Sequence, residues 1–298
     1  MSLESANRDH KKTAVLLIAP ETGRLPNGMG PLARFISGKS GGLGDVIATL
    51  CEGLTQRGIE CHLATLNLTR RFQQENNLSD DQWEKAVHTI DPEHIHLVNS
   101  ALFDNLTDAY AGNPILSAAE FQKTLVNQII NRIRAKNGGR LIIHSHDWMA
   151  GGVITADARR QGCPVLHTLH NVHTSDIPLE LFAGVDTAKL SDYLYRPEWG
   201  KPSVDCQATA IKNASLVNFV GARFLSEIVN DLVPDQSVIP PSVRREVKAK
   251  YEHGSTRTII NAPSLGMYPE HGEHLIRKYG PEDDVIVAKR ENLVEFQR

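Results

Sequence analysis

Three polar clusters in this 298-residue chain could do chemistry, and each follows an apolar run. The first is Gly38-Lys39-Ser40-Gly41-Gly42-Leu43-Gly44-Asp45-Val46. It comes after the strand-like stretch Ala14–Ala19 and opens an apolar-periodic segment, Val46 to Leu54. A glycine-rich turn entering a helix offers backbone N–H groups and the positive end of the helix dipole, which suits phosphate. Lys39 adds a mobile cation. The spacing is neither G-x-G-x-x-G nor G-x-x-x-x-G-K-(S/T), so a tight turn in which glycine only relieves steric conflict is the competing reading.

The other clusters are His144-Ser145-His146-Asp147-Trp148 and His167-Thr168-Leu169-His170-Asn171-Val172-His173. Two chemistries compete for them, beside a purely structural role. His144 and His146 are two residues apart, so on a strand they face the same way and could begin a metal site. A zinc hydrolase needs three or four converging donors, and no H-E-x-x-H spacing is present. The same polar groups serve equally well as contacts to sugar hydroxyls or phosphate. Asp147 could also cap the following helix. Trp148 reads as a packing anchor.

Composition narrows the field. Hydrophobic residues make up 41% and charged residues 22%, enough apolar content for a globular core. The net charge of -3, from 32 basic and 35 acidic residues, argues against a general nucleic-acid binder. No run approaches the ~20 apolar residues of a membrane span. Residues 1–12 are polar, lack a signal-peptide core and read as a disordered lead-in. The four cysteines at 51, 61, 163 and 206 form no C-x-x-C and point to reduced thiols in a cytoplasmic protein.

The clusters need elements to hold them. Apolar runs predict strands at 13–19, 60–66, 94–98, 140–145, 164–169, 215–220 and 257–261. Helical periods lie at 45–57, 118–135, 149–160, 205–213 and 222–232. In 118–135 Phe121, Leu125, Ile129 and Ile133 recur every four residues, and Asn137-Gly138-Gly139 stops the helix. Residues 174–204 read as a partly helical excursion or flap. Residues 234–256 read as a solvated helix or loop. Alternation of this kind predicts an α/β fold: a Rossmann-like parallel sheet with helices on both faces. Such sheets bind ligands beyond the carboxyl ends of their strands, where the clusters fall, with Asn261-Ala262-Pro263-Ser264 after 257–261 as a fourth that could converge on the same cleft.

Taken in order, the segments resemble one family. Lys39 through Val46 resembles the K-x-G-G-L-(A/G)-D-V loop of bacterial glycogen synthases and plant starch synthases. Ile143-His144-Ser145-His146-Asp147-Trp148-Met149-Ala150 is similar to their H-x-H-D-W-x-(A/T) segment. His167-Thr168-Leu169-His170-Asn171 is similar to T-(I/V)-H-N. Ala210 to Val217 resembles a K-A-x-x-x-A-D-x-(I/V) junction, and Ile259-Ile260-Asn261 the start of I-(I/L)-N-G-(I/V)-D. The chain departs from the family at Asn261-Ala262-Pro263-Ser264, which lacks the usual Gly and Asp. It departs again at Val172-His173-Thr174-Ser175, which replaces a Tyr-x-Gly-like continuation.

The resemblance implies the amino-terminal half of a GT-B glycosyltransferase: a domain over 13–275, with 276–298 leading to a carboxy-terminal nucleotide-binding domain. It implies transfer of glucose from ADP-glucose or UDP-glucose to the non-reducing end of an α-1,4-glucan, with retention, and with neither metal nor cofactor. In that role Lys39, Gly41 and Gly42 hold the donor phosphates. His170, Asp147 and Asn171 act at the reacting centre, and Asp45 and His146 contact sugar or acceptor. Such a half is inactive alone. A non-catalytic glucan or nucleotide-sugar binding module, and a metal-dependent hydrolase at His144/His146/Asp147, are the alternatives.

Overall fold

The computed structural model describes residues 13–197, 200–262, 268–272 and 275–296. The lead-in 1–12 lies outside the described residues, as do Pro263 and Ser264 of the closing segment. The strands are β1 (Ala14–Ile18), β2 (Glu60–Leu66), β3 (Ile95–Val98), β4 (Leu141–His146), β5 (Val165–Leu169), β6 (Asp176–Pro178), β7 (Ser203–Asp205), β8 (Leu216–Phe219) and β9 (Thr256–Thr258). The helices are α1 (Gly42–Gln56), α2 (Thr69–Asn76), α3 (Asp80–Thr89), α4 (Pro114–Thr124), α5 (Ile130–Lys136), α6 (Gly152–Arg160), α7 (Cys206–Asn213), α8 (Ala222–Val229), α9 (Pro241–Glu252) and α10 (Val285–Phe296).

Seven strands form one sheet in the order β3-β2-β1-β4-β5-β8-β9, and every pairing in it is parallel. This is the Rossmann-like arrangement the alternation predicts. β1 reads Ala-Val-Leu-Leu-Ile without polar alternation because it is central and covered on both faces. The chain moves from β1 to β2 in one direction and to β4 in the other. The crevice beyond the carboxyl ends of β1 and β4 is therefore the switch point, where such folds place ligands.

Helix faces follow sequence periodicity. α1 buries Leu43, Ile47 and Cys51, spaced by four. The helix expected at 118–135 begins earlier, at Pro114, where the Asn113 side chain accepts the Ile115 and Leu116 N–H groups at 3.1 and 3.2 Å. A π turn over Leu125–Ile129 joins α4 to α5. Its extra residue lets Ile129, Ile130 and Ile133 all face the core. Gly138 and Gly139 then adopt positive φ, and the Gly139 N–H bonds the Arg134 carbonyl at 2.8 Å.

Two segments keep the expected helical character, a turn at Leu179–Phe182 and the helix α9, and add to it. Residues 174–204 supply part of an antiparallel ribbon, β6 with β7, pairing Asp176 with Asp205. The 234–256 segment is not wholly solvated: α9 inserts Val243 and Val247, both 0% exposed, against α7 and α8. Four-residue spacing of two valines within a charged run is what carries this burial.

The chain divides into two compact units, Met1–Ile260 and Asn261–Arg298. In the second, the Asn292 side chain accepts the Arg277 N–H at 3.0 Å and donates to its carbonyl at 2.8 Å. The Arg277 guanidinium meets Glu291 at 2.9 Å. Among the described residues no helix is long and apolar enough to cross a membrane.

Candidate functional site

Polar side chains gather on both sides of the switch point. Beyond β1 the chain carries Glu21, only 2% exposed. Its Oε2 accepts the backbone N–H of Gly41 at 3.0 Å and also that of Ser40. A carboxylate of the chain itself thus sits on the amides of the glycine loop and shapes it. The loop is also tied by its backbone: the Gly38 N–H bonds the Thr22 carbonyl at 3.0 Å, and the Gly23 N–H bonds the Gly44 carbonyl at 2.8 Å.

The four loop glycines have different reasons to be glycine. A Cβ on Gly44 would lie 2.4 Å from the Lys39 Cβ, and one on Gly38 2.9 Å from the Phe72 ring, so packing demands both. A Cβ on Gly42 would meet no atom within 4 Å, and one on Gly41 only Glu21 at 3.9 Å. Neither has positive φ. The Gly41 N–H, expected from sequence to hold donor phosphate, is taken by Glu21, whereas the face of Gly42 is open at the first turn of α1, where amides lack intrahelical partners. Lys39, half-exposed, spans the loop to Asp45 in the first turn of α1, with Nζ 2.9–3.0 Å from both carboxylate oxygens.

Beyond β4, Asp147 occupies φ 53°, ψ −175°, a strained backbone for a non-glycine residue, costing on the order of 1–3 kcal/mol. Its N–H continues the sheet to the Thr168 carbonyl at 3.1 Å. Its carboxylate accepts the His170 N–H at 2.8 Å and the Asn171 side-chain amide at 3.1 Å. The ends of β4 and β5 are therefore locked together by one buried carboxyl. Burial pushes its pKa up to about 7 and the charge of Glu21 adds to that, while the His170 and Asn171 amides oppose it.

The histidines run along β4 and β5. His146 Nδ1 lies 3.1 Å from His170 Nε2, and the two rings stack at 5.4 Å. His146 Nε2 is buried without a hydrogen-bond partner. An unpaired acceptor is easier to bury than an unpaired donor, so the proton belongs on Nδ1, donated to His170. His170 then carries its own proton on Nδ1. Burial holds His170 neutral, with a pKa near 4, and holds His144 and His167 near 3. His144 faces Thr168 Oγ1 at 2.9 Å and His167 faces Ser145 Oγ at 2.8 Å. The donors of His144, His146 and Asp147 are thus directed at different partners rather than at a common point.

Pro20, Tyr110, Pro114, Asp147, Trp148, Met149, Asn171 and His173 line a pocket of about 350 Å³. Trp148 is buried (5%) and meets the His173 ring edge-on at 5.7 Å, so it is both anchor and wall. Tyr110 Oη is 3.5 Å from Glu21 Oε1, which links this pocket to the glycine loop. Of the residues singled out from sequence, Asp147 and Asn171 line the pocket, and partly exposed His170 is bonded to Asp147 through its N–H and stacks on buried His146. Gly41 is joined to them through Glu21 and Tyr110, and Lys39, Gly42 and Asp45 form the loop's outer edge. Glu21 and Tyr110 were not anticipated. Glu21 was findable, since an acidic residue two positions past an apolar strand obeys the same strand-end rule as Asp147. Tyr110 lies in a loop without a pattern.

The Starch synthase catalytic domain family matches residues 29–233, which include the glycine loop, Asp147 and His170. No curated protein sequence matches the chain. Among solved structures, the catalytic domain of Starch Synthase IV from Arabidopsis thaliana, bound to ADP and acarbose, aligns with a TM-score of 0.66 at 15% identity. The alignment covers 96% of this chain and 59% of that one, so this chain spans well under two thirds of its length. MurG of Acinetobacter baumannii aligns at a TM-score of 0.32 and 13% identity, covering 85% and 47% of the two chains. The Streptomyces sp. SF2575 glycosyltransferase SsfS6 aligns at 0.32 and 12%, covering 90% and 59%. The family match extends over more than half of the chain and agrees with the sheet and its strand-end cluster: the chain belongs to the starch synthase catalytic domain family of glycosyltransferases.

Proposed function

We propose that this chain is the acceptor-side half of a retaining glucosyltransferase, moving glucose from ADP-glucose, or UDP-glucose, to the non-reducing end of an α-1,4-glucan. The observation that carries this reading is the pairing across the switch point. On one side stands a glycine loop with a cation and an open face at Gly42, its Ser40 and Gly41 amides being held by Glu21, and on the other the Asp147 clamp on His170 and Asn171. The ADP in the Arabidopsis structure favours ADP-glucose as donor here.

Breaking the glycosyl–phosphate bond places negative charge on the leaving diphosphate and positive character on the sugar. Lys39 exchanges Asp45 for a phosphate oxygen, and the first turn of α1 at Gly42 adds its dipole. Neutral His170 presents its Nδ1–H to a sugar hydroxyl without opposing the cationic sugar. Asp147 fixes His170 and Asn171 so that little reorganisation remains at the moment of reaction. Asp45 and His146 complete the sugar side of the loop and the support behind His170. On this reading residues 276–298 begin the connection to a second, nucleotide-binding domain, and the 298 residues alone do not turn over. Four buried free cysteines suit a reducing, cytoplasmic setting.

The test is transfer of radiolabelled glucose from ADP-glucose to maltooligosaccharide, by this chain and by the chain extended through its downstream coding sequence. The extended protein should turn over, and Lys39→Ala should cut the rate by about a hundredfold or more. No transfer by the extended protein, with maltooligosaccharide still bound, would leave a binding module. Rapid transfer by the 298 residues alone would overturn the half-enzyme reading.

A further inference from the structure

At the amino ends of β2 and β3, the opposite end of the sheet from the candidate site, four titratable side chains share one face. Strand residues two apart point the same way, so Glu60 and His62 lie together. Parallel register sets Leu63 against Ile95 and Ala64 against His96. The Leu63 N–H donates to the His94 carbonyl at 2.8 Å. His94 and His96 therefore flank Glu60 and His62 on the neighbouring strand.

Among the described residues, Glu60, His62 and His94 each bring a ligand-type atom to within 4.8 Å of the others. His62 is 1% exposed, with Nε2 3.1 Å from Glu60 Oε1 and its ring 5.0 Å from that of His94. His94 Nδ1 is buried without a hydrogen-bond partner, the nearest carboxylate, Glu93, standing 3.9 Å away. The Glu60 and His94 side chains are 26% and 32% exposed, which opens a path from solvent.

We propose that Glu60, His62 and His94 form a binding site for one divalent transition-metal ion of the zinc class. Two imidazoles and a carboxylate suit that ion, with water as fourth ligand. Bonds of about 2.0–2.1 Å put tetrahedral ligands roughly 3.3 Å apart. The Glu60–His62 pair already has that spacing, and only His94 closes in.

The neighbours decide how tightly the ion is held. Arg132 Nη2 lies 3.1 Å from His96 Nδ1, and His96 Nε2 lies 3.1 Å from His62 Nδ1. A guanidinium only donates, so His96 Nδ1 accepts and its proton sits on Nε2. His62 Nδ1 then accepts in turn, and its proton sits on Nε2, toward Glu60. A metal-bound imidazole prefers the reverse, donating its other N–H outward. For the ion to enter at His62 Nε2, His62 and His96 both move their proton to Nδ1. Each ring keeps one proton and none is released. The His96 Nδ1–H then faces Arg132, whose guanidinium must swing away. Arg132 thus opposes the ion through the tautomers it imposes as well as through its charge.

The chain, stripped with chelator, is titrated with Zn²⁺ by calorimetry, with elemental analysis and thermal unfolding alongside. One equivalent should bind saturably and raise Tm. His94→Ala and the isosteric Glu60→Gln should each weaken binding by at least about 10–100-fold. Arg132→Met should tighten it. Lack of saturable binding, or binding that Glu60→Gln and His94→Ala leave unchanged, overturns the site. Weaker binding in Arg132→Met overturns the tautomer argument and the proposal with it. Should His94→Ala fail to fold, Glu60→Gln carries the test.

Discussion

Gly42 and Gly44 lie two residues apart in one loop and differ in what holds them small. Gly44 is required by Lys39 packed against it, whereas nothing in the chain approaches the missing Cβ of Gly42. Replacing Gly42 by Ala in the first turn of α1 should therefore leave the fold intact or stabilise it by about 0.5 kcal/mol. If the open face receives the donor diphosphate, the same methyl lies in its path. ADP-glucose turnover by the extended protein should fall by about a hundredfold, the effect of a small misplacement at a reacting centre. Unchanged turnover in a Gly42→Ala protein of unchanged Tm would remove this glycine from donor binding. Residue-scale chemistry was legible wherever side chains stood close in sequence to a strand end, as with Asp147, His170 and Asn171. It was hidden where partners were distant. That Glu21 seats on the amides of Ser40 and Gly41 depends on the path taken by the intervening residues, which no local spacing encodes.

Elements hold Asp147 through one crowded junction. α6 starts at Gly152 with φ 49°, and a Cβ there would fall 2.3 Å from Gln122 Oε1 and 3.0 Å from Cys206 Sγ. Gln122, 0% exposed on α4, accepts the Val153 N–H at 3.0 Å and so caps α6 from the side. Gly151 is equally close to the backbone of α7, with a Cβ position 2.3 Å from the Cys206 carbonyl. Three helices thus meet at two glycines just past Asp147. Gly152→Ala combines overpacking with a disfavoured φ and should cost on the order of 3 kcal/mol, lowering Tm by roughly 6–12 °C. Adding Gln122→Ala should cost less than the sum of the two single changes, because the clash is then removed. Thermal unfolding of the two single variants and the double variant checks this, and an unshifted Tm for Gly152→Ala would refute the junction's role. The strands of the main sheet and α1 were readable from apolar runs and periodicity. α2 and α3 were not, because their apolar residues are few, and 234–256, read as a solvated helix or loop, gave the helix α9 but not its burial. α3 buries only Trp83 and Ala86, and its clearest signal was the Ser79–Gln82 capping box, a cue of capping rather than hydrophobicity.

At the scale of the whole molecule, the parallel sheet gathers histidines into its core, and this sets the response to acid. The strand-end rule made the clustering of Asp147, His170 and Asn171 legible from sequence, but not the burial of these rings, which follows from both sheet faces being covered. Burial holds His96, His144 and His167 near pKa 3 and His170 near 4, and pushes His146 well below its ordinary value. A base whose folded pKa is depressed contributes its stability above the unfolded value, here 6.5, and loses it as pH falls toward the folded one. At pH 5 each of the four rings near 3 or 4 costs about 2 kcal/mol, about 8 kcal/mol together, comparable with the whole stability of a domain, and His146 acts in the same direction. Asp147 works in the opposite sense. Its pKa is raised from 3.8 to about 7, so its share is complete below 3.8 and lost as pH rises through 7. Acidification to pH 5 returns about 3 kcal/mol from it, too little to offset the histidines. The chain should therefore unfold cooperatively between about pH 4 and 5, taking up at least about three protons, four at His96, His144, His167 and His170 less one at Asp147. Circular dichroism against pH, with proton uptake by potentiometry, measures both quantities. A chain still folded at pH 3.5, or one that unfolds with uptake of a single proton, would show that these rings are not held neutral by the core. A midpoint in the expected range that moves to lower pH in His167→Gln would show that they are.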